Sequence, residues 1–137
     1  MSSARVTVDG EVAASIAHGL TILLGVARED DAGTAKRLAS KVAQLRIFEN
    51  DTGKFDRSLQ DVGGGALVVS QFTLMANTSK GNRPSFTEAA PPEVAEPIYE
   101  LFCQTLRDLG VPVETGVFGT RMQVEVVNDG PVTIVLD

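Results

Sequence analysis

A chain of 137 residues carries one domain with a buried core and too little sequence for two. Hydrophobic residues make up 43% and aromatics 5%, with Val, Leu, Ile and Ala supplying most of the apolar volume, a composition suited to sheets packed under helices. A formal charge of −6 excludes the broad phosphate-gripping surface that clustered Lys and Arg give to nucleic-acid binders, so an RNA ligand would be held at a small part such as a single-stranded end.

The N-terminus, MSSARVTVDG, has neither a basic nor an apolar leader segment, and no later apolar run has bilayer length. A soluble, cytoplasmic protein with no membrane partner is expected. Val6, Val8, Val12, Ala14 and Ile16 alternate around Asp9-Gly10, which predicts an opening β-hairpin. Leu20 to Ala27 (LTILLGVA) reads as a strand covered on both faces. From Asp31 the period changes: Ala35, Leu38, Val42 and Leu45 mark an amphipathic helix with Lys36, Arg37 and Lys41 off the stripe and acids at its start. Arg46 to Phe48 reads as extended, Asn50 to Gly53 as a turn, and Gly63-Gly64-Gly65 as a sharp entry into the next strand.

That strand, Ala66 to Leu74 (ALVVSQFTL), places Gln71 and Thr73 on one face and Ser70 and Phe72 on the other. Asn77 to Phe86 is a polar loop with Lys80 and Arg83. Val94, Ile98, Leu101, Phe102, Thr105 and Leu109 mark a second helix, introduced by Pro91-Pro92 and ended by Gly110. Strand-like runs follow at Val113 to Thr115, Met122 to Val127 and Val132 to Leu136. The expected architecture is a single α+β domain over residues 1–137, with two mostly antiparallel β-sheets and a helix layer (β/β/α).

The candidate chemistry is sparse. The single cysteine, Cys103, falls off the proposed stripe and is expected to be a spectator surface thiol. His18 stands alone, no Cys or His cluster has metal-ligand spacing, and no phosphate-binding or dinucleotide glycine motif occurs. No metal and no cofactor are expected. Two polar interruptions of apolar strands remain, Ser70-Gln71-Phe72-Thr73 and Asn128-Asp129-Gly130-Pro131. Each alone is consistent with ordinary strand-end or turn chemistry.

Together, SQFTL at Ser70 to Leu74 and NDGPVT at Asn128 to Thr133 resemble the D-aminoacyl-tRNA deacylase family, also called D-tyrosyl-tRNA deacylases. RVTVDGEV, GLTILLGV, the RIF segment, NRPSF and GVFGTRMQVEVV are similar to that family as well, so the likeness runs from about Ser3 to the end. The resemblance implies a cytoplasmic homodimer, without DNA as a partner, that hydrolyses the ester joining a D-amino acid, or glycine, to the terminal adenosine of tRNA. It implies main-chain N–H groups of Phe72 and Thr73 at the ester carbonyl, with Ser70 and Gln71 completing the catalytic segment. It further implies a cis Gly130-Pro131 peptide inserted into the other subunit's pocket, with Val132, Leu74, Phe118, Pro84, Ser85 and Phe86 around the substrate and Met122 beside the adenine.

The physical logic is direct. An ester is an activated acyl group, and each preorganised N–H aimed at a developing oxyanion can contribute ~3 kcal/mol or more. Carbonyls facing the substrate α-carbon would exclude an L side chain and admit its mirror image or a hydrogen, giving strict handedness with broad side-chain tolerance. Thr73 is assigned a positional role, nucleophile being the other reading. Few phosphate contacts imply a shallow log–log salt slope, about −2 rather than −6.

Two departures from the family pattern stand out. Family members begin with a further strand ending in Gln-Arg-Val, and Met1 takes the place of that valine. Either the start is placed too late, which is the preferred expectation, or the chain lacks most of that edge strand and an arginine bracing the Gly-Pro element; a native mature N-terminus at Met1 or Ser2 would dispose of the first explanation. Thr120 stands where alanine is usual. Alternative functions are a non-catalytic binder of the aminoacylated 3′ end and a related deacylase admitting small L-residues.

Overall fold

The computed structural model describes residues 1–137. The chain opens with β1 (Ser3–Val8) and β2 (Glu11–Ile16), joined at Asp9-Gly10, whose φ angles of 49° and 81° are those of a two-residue hairpin turn. β3 (Gly19–Leu24) leads into α1 (Ala32–Gln44), the two-stranded ribbon of β4 (Phe48–Glu49) and β5 (Phe55–Arg57), and the single turn α2 (Leu59–Val62). β6 (Gly65–Ser70), α3 (Pro92–Asp108), β7 (Val113–Thr115) and β8 (Gln123–Val127) complete the chain.

Three layers result. The outer sheet has the order β2-β1-β8, all antiparallel, and the inner sheet has the order β3-β6-β7. Alternation along β6 divides the core: Leu67 and Val69 meet Ala4, Val6 and Ala14 of the outer sheet, while Ala66 and Val68 meet the helices. Burying each larger apolar side chain here, Phe102 and Leu106 among them, contributes roughly 1.5–3 kcal/mol relative to exposure. No helix is long and apolar enough to cross a membrane.

The α+β class and its layers agree with the expectation, but the inner sheet is parallel throughout. β3 reaches β6 by a crossover through α1, the ribbon and α2, which returns the chain to the edge where β3 began. β3 also lies at the edge of its sheet, so Leu23 is 47% exposed and the expected cover on both faces is absent within one chain. Val132 to Leu136, expected as a strand, has no ladder partner and is irregular.

Local signals explain the helices. Asp31 caps α1 by accepting from Thr34 N at 2.9 Å, and the Thr34 hydroxyl accepts in turn from Asp31 N, a reciprocal cap that holds the Asp31 carboxyl below its ordinary range. Ser58 and Asp61 form the same box around α2, a turn that the Ser-x-x-Asp spacing announces and the periodicity reading passed over.

Helix α3 buries Ala95, Tyr99, Phe102, Cys103 and Leu106, a stripe rotated by about one residue from the expected one. Val94 is 40% exposed and Cys103 only 2%, so the expected surface thiol is a core side chain. Burial pushes that thiol up to about 11. At pH 8 a thiol reagent should label the native protein at least ~100-fold more slowly than the denatured chain, reflecting both shielding and a depleted thiolate. Rapid stoichiometric labelling of native protein would contradict this packing.

Candidate active site

Parallel strands place their carboxyl ends on one edge, and that edge is where open α/β sheets offer a crevice to ligands. Three segments leave the inner sheet there: Gly25 to Asp31 after β3, Gln71 onward after β6, and Gly116 to Met122 after β7.

The middle segment departs from the expected strand. Gln71, at φ −138° and ψ 79°, donates its N–H to Leu24 O at 2.8 Å, and the chain then tightens into a 3-10 turn over Phe72–Met75. Leu74 N donates to Gln71 O at 3.2 Å and Ala76 N to Thr73 O at 3.1 Å. The Phe72 and Thr73 N–H groups are the first donors of this turn and have no acceptor within it. Phe72 and Thr73 are exposed at this edge, and the Gln71 side-chain amide donates to the Thr73 hydroxyl. The face alternation expected for residues 70–73 therefore does not apply.

Gly25 underlies the turn. A Cβ at this position would lie 2.9 Å from Met75 Cε, 3.1 Å from Leu74 Cβ and 3.2 Å from Gln71 O, so only glycine lets the turn settle onto the end of β3. The sequence reading missed Gly25, although a glycine closing an apolar strand is a signal of close backbone approach.

The neighbouring walls come from the other segments. Asn77 and Ser85 exchange backbone hydrogen bonds at 2.8 and 2.9 Å, closing the polar loop and setting Pro84-Ser85-Phe86. The Phe86 ring stands edge-on to Phe72, with centroids 5.1 Å apart. After β7, Gly116 N donates to Val68 O at 3.1 Å, and the Met122 sulfur occupies the space a Gly116 Cβ would need, 2.7 Å away. Phe118 packs on Tyr99 at 5.7 Å, and Tyr99 donates its hydroxyl to Val68 O at 2.8 Å. Ser70, Gln71, Phe72, Thr73, Leu74, Pro84, Ser85, Phe86, Phe118 and Met122 thus belong to segments leaving one edge or following directly from it.

Gly130, Pro131 and Val132 belong elsewhere. β8 starts beside Thr7 and ends beside Ser3; Ser2 N donates to Val127 O, and Met1 pairs with Gly19 at the opposite end of β3. The loop after Val127 therefore departs from the far end of the molecule. Three residues span at most ~10 Å, against ~20 Å for the length of β6. The loop's side-chain bonds are internal: Val132 N donates to Asn128 Oδ1 at 3.2 Å, and Asn128 Nδ2 to Thr133 Oγ1 at 3.1 Å. The Gly130-Pro131 peptide is cis, Gly130 has φ 135°, and both residues are exposed.

His18 lies against Phe48 in an edge-to-face contact, away from this edge, and no group of His, Cys, Asp and Glu could hold a metal ion. The remaining chemistry is main-chain donors, an amide and hydroxyls, beside aromatic walls.

The sequence model of the D-Tyr-tRNA(Tyr) deacylase family matches residues 1–137. The D-aminoacyl-tRNA deacylase of Thermomicrobium roseum is 63% identical over all of this chain and 89% of its own length, and that of Deinococcus radiodurans is 56% identical over all of this chain and 94% of its own. Among solved structures, a c-Myc DNA unwinding element binding protein superposes with a TM-score of 0.94 at 42% identity, covering 99% of this chain and 93% of that one. A probable eukaryotic D-amino acid tRNA deacylase shares the fold with a TM-score of 0.76 at 18% identity, covering 91% of this chain and 88% of its own. The chain belongs to the D-aminoacyl-tRNA deacylase family.

Proposed function

We propose that this member of the deacylase family hydrolyses the ester of D-aminoacyl-tRNA, and of glycyl-tRNA, through main-chain groups at the carboxyl edge of the inner sheet. The Phe72–Thr73 turn carries the reading: it offers two adjacent N–H donors that the fold leaves unpaired. The ester carbonyl sits at those donors, which strengthen their hold as negative charge develops on its oxygen. Water attacks the carbonyl carbon, the substrate's ribose 2′-hydroxyl assisting it, and the bond to the ribose oxygen breaks to release the amino acid and free tRNA. Gln71 fixes the Thr73 hydroxyl, and Thr73 holds the turn in register.

Chirality is set by Gly130-Pro131 of a second copy in a homodimer. The departure of that loop from the end opposite its own Phe72 supports this assignment, because a second copy supplies what the chain's own loop is too short to reach. Gly130 lacks a Cβ, so its carbonyl can approach the substrate α-carbon and leave no volume for an L side chain. The aromatic wall of Phe72 and Phe86, with Leu74, Pro84, Ser85 and Val132, bounds the substrate, and Phe118 and Met122 flank the adenine. The cytoplasm is the compartment in which aminoacyl-tRNA is met.

Incubation with D-tyrosyl-tRNA, L-tyrosyl-tRNA and glycyl-tRNA tests the proposal. Ester loss is expected for the D-tyrosyl and glycyl substrates and not for the L-tyrosyl one. Equal turnover of both tyrosyl enantiomers would remove the steric filter, and tight binding with every ester preserved would leave a binding module instead of an enzyme.

A further inference from the structure

Resting on the tRNA reading above, we propose that the exposed face of α1 is the contact surface for the ribose-phosphate backbone of the substrate's acceptor arm. Lys36, Arg37, Ser40, Lys41 and Gln44 recur at alternating one- and three-residue steps on the side of α1 opposite its buried Ala35, Ala39, Val42 and Ala43. With Arg46 they line one shallow groove that contains no acidic residue. In a chain of net charge −6 with 12 Lys and Arg, four of the cations share this groove.

Ion pairing separates them further. Arg46 is engaged by Asp56, through both its carboxylate and its main-chain oxygen. None of the three ion pairs in the protein uses Lys36, Arg37 or Lys41. Of the acids before α1, Asp30 and Asp31 are turned toward backbone: Asp30 accepts from Ala27 N at 2.8 Å and Asp31 from Thr34 N. Three cations outside any ion pair thus spread along ~7.5 Å of helix axis, Arg37 alone among them acting on a nearby carboxylate, that of Asp31.

Their position fits the substrate. α1 follows β3 after seven intervening residues, on the edge that carries the Phe72 turn, and runs back from it. An amino-acylated 3′ end seated at Phe72 leaves the remainder of the acceptor arm to continue outward, where repeating phosphates meet these side chains. Three phosphate contacts account for a log–log salt slope of about −2 to −2.7, and so for about 15- to 40-fold weaker binding over a fourfold rise in salt.

The test compares wild type, the triple variant K36Q/R37Q/K41Q and the control Lys54→Gln on intact D-tyrosyl-tRNA and on D-tyrosyl-adenosine, which has no phosphate arm. For intact tRNA the triple variant should raise KM about tenfold or more at low salt, leave kcat unchanged and flatten the salt slope by about 2. D-tyrosyl-adenosine should be hydrolysed alike by all three proteins. The inference is overturned if intact tRNA responds no more to the triple variant than to Lys54→Gln, or if both substrates lose turnover equally. Should wild type hydrolyse neither substrate, the hydrolase reading fails. Retention of uncharged tRNA by wild type and its loss from the triple variant then still support the α1 contact, and equal retention rejects it.

Discussion

Replacing Phe72 with proline is expected to lower kcat on D-tyrosyl-tRNA by about 10²–10³-fold, or about 2.7–4 kcal/mol of transition-state stabilisation, while Phe72→Ala costs less than about tenfold. Proline deletes one N–H and fixes φ near the value a 3-10 residue already has. Gln71, the preceding residue, at φ −138° and ψ 79° lies outside the α region that a following proline disfavours. The lost N–H donates to nothing within its own turn, so unfolding temperatures of the two variants should agree to within a few degrees. The alanine variant separates the ring's packing on Phe86 from the main-chain donor. Equal kcat for both variants would move the oxyanion contact away from Phe72. On the same scheme Thr73→Ala keeps most of the activity; near-complete loss in a folded protein, or a trapped acyl-enzyme, would make Thr73 the nucleophile.

Gly25→Val carries the second large effect. Even a Cβ meets Leu74 Cβ at 3.1 Å and Gln71 O at 3.2 Å, and a branched side chain adds two more atoms to that space. The turn must move off the end of β3, and a displacement approaching 1 Å at the reacting centre can cost about 10²-fold in rate. A kcat loss of about that size is expected for Gly25→Val, and about tenfold for Gly25→Ala, where the flexible Met75 end gives way first. Overpacking should destabilise the valine variant by about 1–3 kcal/mol. Steady-state kinetics alongside thermal melting checks the pair. Wild-type kcat in a folded valine variant would show that the turn is not held by this contact.

Much of the scaffold was legible from local chemistry. The Asp9-Gly10 hairpin and both long helices followed from turn dipeptides, caps and 3.6-residue spacing, each set within a few neighbouring residues. What escaped depends on partners distant in sequence. Ser70 to Leu74 alternates as a strand should, yet the strand ends at Ser70, and the turn that follows rests on Gly25, far back in the chain. Cys103 lies off the apolar face that Val94 and Ile98 mark out in the sequence; the buried face is chosen by what the inner sheet and α1 present to α3. Strand direction in the inner sheet is likewise a property of the crossover and not of any strand's own residues. The two motifs that drew notice, at residues 70–74 and 128–133, stood out as polar breaks in apolar runs. Sequence alone could not show that they leave opposite ends of one chain, and that separation supports assigning them to different copies.

The most direct test is a structure of the dimer with a non-hydrolysable D-aminoacyl-adenosine analogue bound. The account predicts the carbonyl oxygen about 3 Å from the Phe72 and Thr73 nitrogens, with Gly130-Pro131 of the other copy against the α-carbon. A carbonyl bound elsewhere, or Pro131 facing solvent away from the Phe72 amide of either copy, would contradict it.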